Sequence, residues 1–100
     1  MSDIAKLIRI LANNNLRLAT AESCTGGSLA AAVTSVPGAS LVFDCGIVSY
    51  SNGIKEKLLS VPGDILQNLG AVSRETACAM AAGALNTAKA DIALSTTGIA

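Results

Sequence analysis

Three short stretches of the chain gather groups able to do chemistry. Glu22-Ser23-Cys24-Thr25-Gly26-Gly27 brings together a carboxylate, a hydroxyl, a thiol and two glycines. Tyr50-Ser51-Asn52-Gly53 and Ser95-Thr96-Thr97-Gly98 are rich in hydroxyls and glycine. A serine or thiol in such a turn is a candidate nucleophile for acyl transfer, and it needs a base. The chain contains no His. That excludes Ser-His-Asp and Cys-His catalysis, and His-based metal sites. Lys, a carboxylate, Tyr or a terminal amine remain. Among seven basic residues, only Lys55 lies within a helical turn of one of these stretches, four positions after Ser51 and five after Tyr50. Helical side chains lean toward the N-terminus, so Lys55 points back at that loop and could face Ser23. Partial desolvation there lowers a lysine pKa, which suits a general base.

The neighbours leave alternatives open. Glu22 is the acid of these turns, and it either orients the lysine or hydrogen-bonds the turn. Cys24 is a rival nucleophile, because a helix start lowers a thiol pKa. Adjacent residues point different ways, so only one of Ser23 and Cys24 faces a site. Thr25-Gly26-Gly27 opening a helix is a candidate cradle for phosphate or carboxylate, since glycine admits close approach and a helix start offers free N–H groups. The spacing is not that of a P-loop. The plainer alternative is that these turns are helix caps, and that Lys55, beside Glu56 and Lys57, is a solvated lysine.

Alternating elements must position these groups. Ile4, Leu7, Ile8 and Leu11 share one helical face over residues 2–13. Residues 16–21 form a short strand, and 27–35 a helix that stops before Val36-Pro37-Gly38. A strand over 41–49 contains Gly46. Ser51 caps a short helix carrying Lys55. Pro62-Gly63-Asp64 opens another, with Asp64 and Gln67 in capping-box spacing and Gly70 closing it. Ser73 caps a longer helix with an Ala-rich face that packs close to its neighbour. Residues 91–95 form the last strand. Such alternation predicts an α/β domain, three-layer α/β/α with a mainly parallel or mixed sheet. In such sheets ligands bind beyond the strand C-termini, where all three polar stretches fall.

Composition narrows the rest. One hundred residues, 51% hydrophobic, fit one domain with a modest core. Seven basic residues balance seven acidic ones and aromatics make up 2%, so neither nucleic acid nor a membrane is an expected partner. Cys24, Cys45 and Cys78 form no C-x-x-C, which argues against zinc or a redox pair. Cys45 and Cys78 read as packing residues in a reducing, cytoplasmic setting. No apolar run reaches the ~18–20 residues of a membrane span, and the start lacks a signal-peptide pattern.

The motifs, taken in order, are Ala21-Glu22-Ser23-Cys24-Thr25-Gly26-Gly27, Val36-Pro37-Gly38-Ala39-Ser40, Gly46-Ile47-Val48-Ser49-Tyr50-Ser51-Asn52 with Lys55, Gly70-Ala71-Val72-Ser73, Ala90-Asp91-Ile92-Ala93 and Thr97-Gly98-Ile99-Ala100. Together they closely resemble the CinA C-terminal domain family, the nicotinamide mononucleotide amidases. The resemblance runs over almost the whole chain. It implies hydrolysis of the carboxamide of nicotinamide mononucleotide to nicotinic acid mononucleotide and ammonia, with no metal or organic cofactor. Ser23 would be the nucleophile, Lys55 the base and Tyr50 part of the catalytic group. Glu22, Thr25, Gly26, Gly27, Ser51 and Asn52 would shape the substrate pocket, with Thr97 and Gly98 on its far wall. The Thr25–Gly27 N–H groups could serve an oxyanion or the substrate phosphate.

In the family, Thr97-Gly98-Ile99-Ala100 begins a longer glycine-rich loop followed by further strands and a closing helix. Residues 1–100 are therefore expected to be the N-terminal two-thirds of such a domain, with an incomplete sheet. An open sheet edge predicts a homo-oligomer acting on a small nucleotide substrate. The competing readings are a non-catalytic nucleotide-binding or scaffold module and an amidase working through Cys24.

Overall fold

A computed structural model describes residues 1–99; Ala100, included in the last motif above, lies outside the described residues. The elements run α1 (Asp3–Asn13), β1 (Leu18–Glu22), α2 (Ser28–Thr34), a 3-10 turn (Ala39–Leu41), β2 (Phe43–Val48), α3 (Asn52–Leu59), α4 (Gly63–Leu69), α5 (Arg74–Ala88) and β3 (Ile92–Thr96). The strands form a sheet in the order β2-β1-β3. Both pairings are parallel, with Glu22 opposite Val48 on one side and Thr96 on the other. The α/β expectation holds, and the sheet is parallel throughout its described strands.

Each layer follows from the residues that face it. Ala19 and Ala21 of β1 pack with Leu59, Val61, Leu66, Met80 and Ala84, which seats α3, α4 and α5 on one face. Leu18 packs with Ile8, Leu11, Val33, Ala39 and Val42, which seats α1 and α2 on the other. As the central strand, β1 is buried at all five positions. It begins two residues later than the apolar alternation predicts. Leu16 N–H donates to Leu11 O and ends α1 instead, and Arg17 N–H donates to the Asp91 carboxylate. Arg17 also pairs with Asp44, tying the strand starts together.

One other boundary shifts for a local reason. Gly38, at φ +88°, turns the chain into the 3-10 segment, so β2 starts at Phe43 rather than residue 41. Gly46 lies where α2 crosses the sheet; a Cβ there would stand 2.8 Å from Thr20 Oγ1 and 3.1 Å from Ala30 Cβ. The residue capping α4 is Pro62, with no side-chain cap bond, so Asp64 and Gln67 make no capping box. Ser51 and Ser73 do cap α3 and α5. Cys45 is half-buried, whereas Cys78 is exposed on α5 and is not a packing residue.

The Ala-rich face of α5 makes its closest approach at Gly83. A Cβ at that position would lie 2.0 Å from the backbone oxygen of Leu59. Helix propensity alone favours Gly83→Ala by about 1 kcal/mol. Overpacking against rigid backbone costs about 1–3 kcal/mol or more, so the clash should win. Gly83→Ala is expected to lower Tm by on the order of 5–10 °C. A Tm unchanged or raised in thermal denaturation would contradict this packing.

Among the described residues no helix is long and apolar enough to cross a membrane, and no cluster of His, Cys, Asp or Glu could hold a metal ion.

Candidate active site

Parallel strands bring their C-terminal ends to one edge, and the three polar stretches meet there. Ser23 follows β1 directly. Its N–H donates to Thr96 O of β3 at 3.1 Å, and Ser49 N–H after β2 donates to Glu22 O at 2.8 Å. The peptide carrying Ser23 is thus held from both neighbouring strands.

Lys55 reaches the same point from α3. Ser51 starts that helix, its hydroxyl accepting from Ile54 N–H at 3.2 Å. Lys55 therefore sits in the first turn, and its side chain runs back to the loop. It is 1% exposed and Ser23 is 6% exposed. The Lys55 Nζ donates to Ser23 Oγ at 3.0 Å and to Tyr50 O at 3.1 Å. Burial holds the Lys55 amine below its ordinary value of 10.5, with Cys24 acting in the opposite sense. A neutral amine against a buried hydroxyl can take its proton at a pH where a solvated lysine could not.

A cavity of ≈ 320 Å³ opens over this pair, lined by Ser23, Cys24, Tyr50, Lys55, Ala71, Gly98 and Ile99. Tyr50 lies at its rim with its side chain mostly in solvent. The Cys24 thiol stands close to Gly98, where a Cβ would be 3.4 Å from Sγ. Both the serine and the thiol therefore border the cavity, and only the serine has the lysine as a hydrogen-bond partner.

Other expected pocket residues sit elsewhere. Ser51 and Asn52 do not line the cavity; Ser51 is spent on the α3 cap. Thr97 does not line it either, because its hydroxyl donates to Ala71 O at 2.7 Å. That bond draws the loop between α4 and α5 against the cavity. Ala71 is a cavity residue that its Gly70-Ala71-Val72-Ser73 motif does not mark as one. An alanine wall contributes shape alone, and shape leaves no chemical signature in a sequence.

Glu22 does not touch Lys55. Its carboxylate is buried and accepts from Leu29 N–H at 2.8 Å, Ala30 N–H at 2.9 Å and the Thr25 hydroxyl at 2.6 Å. Burial pushes this carboxyl up, and the bonds from Thr25, Ala30, Leu29 and Gly27 outweigh it, so it lies below its ordinary value of 4.5. A carboxyl depressed in the folded state contributes stability above its unfolded pKa, lost as pH falls through the folded one. Gly26 and Gly27 take φ of +61° and +111°, the left-handed region that glycine favours. The first turn of α2 is thus already bound to an internal anion, the Glu22 carboxylate, through Leu29 and Ala30 N–H.

Comparison with known proteins gives one consistent answer. Residues 2–100 match the CinA C-terminal domain. A putative competence-damage inducible protein of Caldicellulosiruptor saccharolyticus is 53% identical over 94 residues, which is 94% of this chain and 23% of that protein. A CinA-like protein of Chlorobium limicola is 55% identical over 92 residues, 21% of its length. The chain thus spans less than a quarter of these relatives. A crystal structure of a competence-damaged protein (CinA) superfamily protein from Escherichia coli superposes with a TM-score of 0.90 at 35% identity, covering 95% of this chain and 59% of that one. The competence/damage inducible protein of Agrobacterium tumefaciens superposes at 0.87 with 44% identity, covering 99% and 62%.

Proposed function

The chain belongs to the CinA C-terminal domain family, and on that premise we propose that it is an amidohydrolase that cleaves the carboxamide of nicotinamide mononucleotide. The products are nicotinic acid mononucleotide and ammonia. The observation that carries this reading is the buried 3.0 Å contact between Lys55 Nζ and Ser23 Oγ at the floor of a cavity.

The neutral Lys55 amine takes the Ser23 proton, and the oxygen attacks the carboxamide carbon. The resulting oxyanion needs donors where its charge develops. Cys24 and Thr25 N–H, which follow the nucleophile in the turn, donate to no acceptor among the described residues and fill that role. The C–N bond then breaks, and the proton on Lys55 passes to the leaving nitrogen as ammonia departs. Water attacks the acyl-serine, losing its proton to Lys55; the ester C–O bond then breaks, Lys55 returns that proton to Ser23 Oγ, and the acid leaves with both residues restored. Tyr50 serves twice: its carbonyl aims the lysine, and its ring at the rim offers a face to the cationic pyridinium. No step calls on a metal or organic cofactor.

Incubating the chain with nicotinamide mononucleotide and quantifying both products tests this reading. Equal amounts of ammonia and acid are expected. A non-catalytic nucleotide-binding module is the competing reading. It predicts ligand binding with no ammonia.

A further inference from the structure

We propose that Glu22 is a positioning residue, whose carboxylate, with the Thr25 and Thr96 hydroxyls, clamps the nucleophile turn between β1, α2 and β3. What it positions, Ser23 against Lys55, rests on the amidase reading above.

The need for such a clamp begins at Gly27. It is the N-cap of α2, at φ +111°, and has no side chain to satisfy the first turn. N–H groups at a helix start have no intrahelical acceptor and require one from elsewhere. Glu22, seven and eight residues upstream, supplies it: one carboxylate oxygen takes Leu29 N–H and the other takes Ala30 N–H. The intervening residues 23–28 are thereby closed into a loop of fixed span. Thr25 donates to the same carboxylate, and its hydroxyl lies 2.7 Å from that of Thr96. Thr96 in turn accepts from Ser23 N–H through its backbone. The side chains and backbone of the same three residues thus close a ring around the nucleophile.

This arrangement demands a carboxylate. Each oxygen faces a donor, so a glutamine would turn its NH₂ against one N–H and leave a buried donor unpaired. It also explains why Glu22, 1% exposed, acts without contacting the cavity. A second consequence concerns substrate orientation. The anion-binding end of α2 is filled by the protein's own charge, so the phosphate of a nucleotide substrate lies away from it.

The test compares wild-type chain with Glu22→Gln and Thr25→Val. For each, kcat and KM with nicotinamide mononucleotide, and amide exchange at Leu29 and Ala30, are measured. Glu22→Gln is expected to lower kcat by ~10- to 100-fold, the effect of misplacing a reacting group by a fraction of an ångström to an ångström. KM should stay within about 2-fold, since a residue off the cavity makes no ground-state contact. Exchange at whichever of Leu29 and Ala30 faces the new NH₂ should accelerate at least ~10-fold, as one lost hydrogen bond implies. Thr25→Val, which leaves the α2 cap in place, should lower kcat without exposing those amides, and it keeps the test open should Glu22→Gln not fold. Unchanged kcat in the folded variants, or a change confined to KM, overturns the proposal. If the wild-type chain releases no ammonia, the amidase reading fails by itself. The clamp is then judged on amide exchange and on the rate at which Ser23 reacts with a sulfonyl fluoride, which both variants should slow and which, if unslowed, overturns it.

Discussion

Ser23→Ala is expected to reduce ammonia release from nicotinamide mononucleotide by on the order of 10³-fold or more, the scale on which losing a nucleophile acts. The same change should leave Tm almost untouched. Among the described residues the Ser23 hydroxyl hydrogen-bonds with Lys55 Nζ alone, and that amine keeps its bond to Tyr50 O. Activity and stability should therefore separate. Cys24→Ser is the matched control. The thiol borders the cavity and has no hydrogen bond to the base, so its loss should cost far less than the loss of Ser23. Activity that survives Ser23→Ala and disappears in Cys24→Ser would reassign the nucleophile to the thiol.

Lys55→Met should be equally inactive and no less stable. An ammonium taken out of water costs free energy, which is why burial holds this amine below its ordinary value. Methionine fills a similar volume without that cost. The sign with pH follows from the same shift. Below the folded pKa the site must carry a charged lysine it disfavours. Between the folded pKa and the ordinary 10.5 the unfolded chain binds more protons, so folding stability rises with pH across that window. Activity rises with pH through the folded pKa as well, because only the neutral amine takes the Ser23 proton. Lys55→Arg should also be inactive, since a guanidinium does not deprotonate in proteins. Stability that falls across that alkaline window in wild type, or a pH–rate profile unchanged in a still-active Lys55→Arg, would remove Lys55 as the base.

The pairing of Ser23 with Lys55 was legible in the sequence because it followed from exclusion. Without His, a serine at a strand end has few bases left, and helical side-chain lean brings one of them back to the loop. The α/β order was legible for a similar reason, since caps at Ser51 and Ser73 and periodic apolar faces are local signals. What escaped reading depends on chain segments meeting in space. The destination of the Glu22 carboxylate, two amides of a helix not yet begun, cannot be seen from its own turn. Thr97 reads as a pocket hydroxyl until the fold brings Ala71 O within reach. The late start of β1 reflects Asp91, 74 residues away, capturing Arg17 N–H. The exposure of Cys78 shows the limit of residue type as a guide to burial: an Ala-rich helix shows little contrast between its faces.

The most direct measurement is a single-turnover reaction, with the chain in excess over nicotinamide mononucleotide, quenched in acid and mapped by peptide mass spectrometry. The expected result is an adduct of substrate less ammonia on the peptide containing Ser23, located at Ser23 itself and absent from Ser23→Ala. An adduct located at Cys24, or ammonia released as fast by Ser23→Ala as by wild type, would contradict the Ser23–Lys55 mechanism.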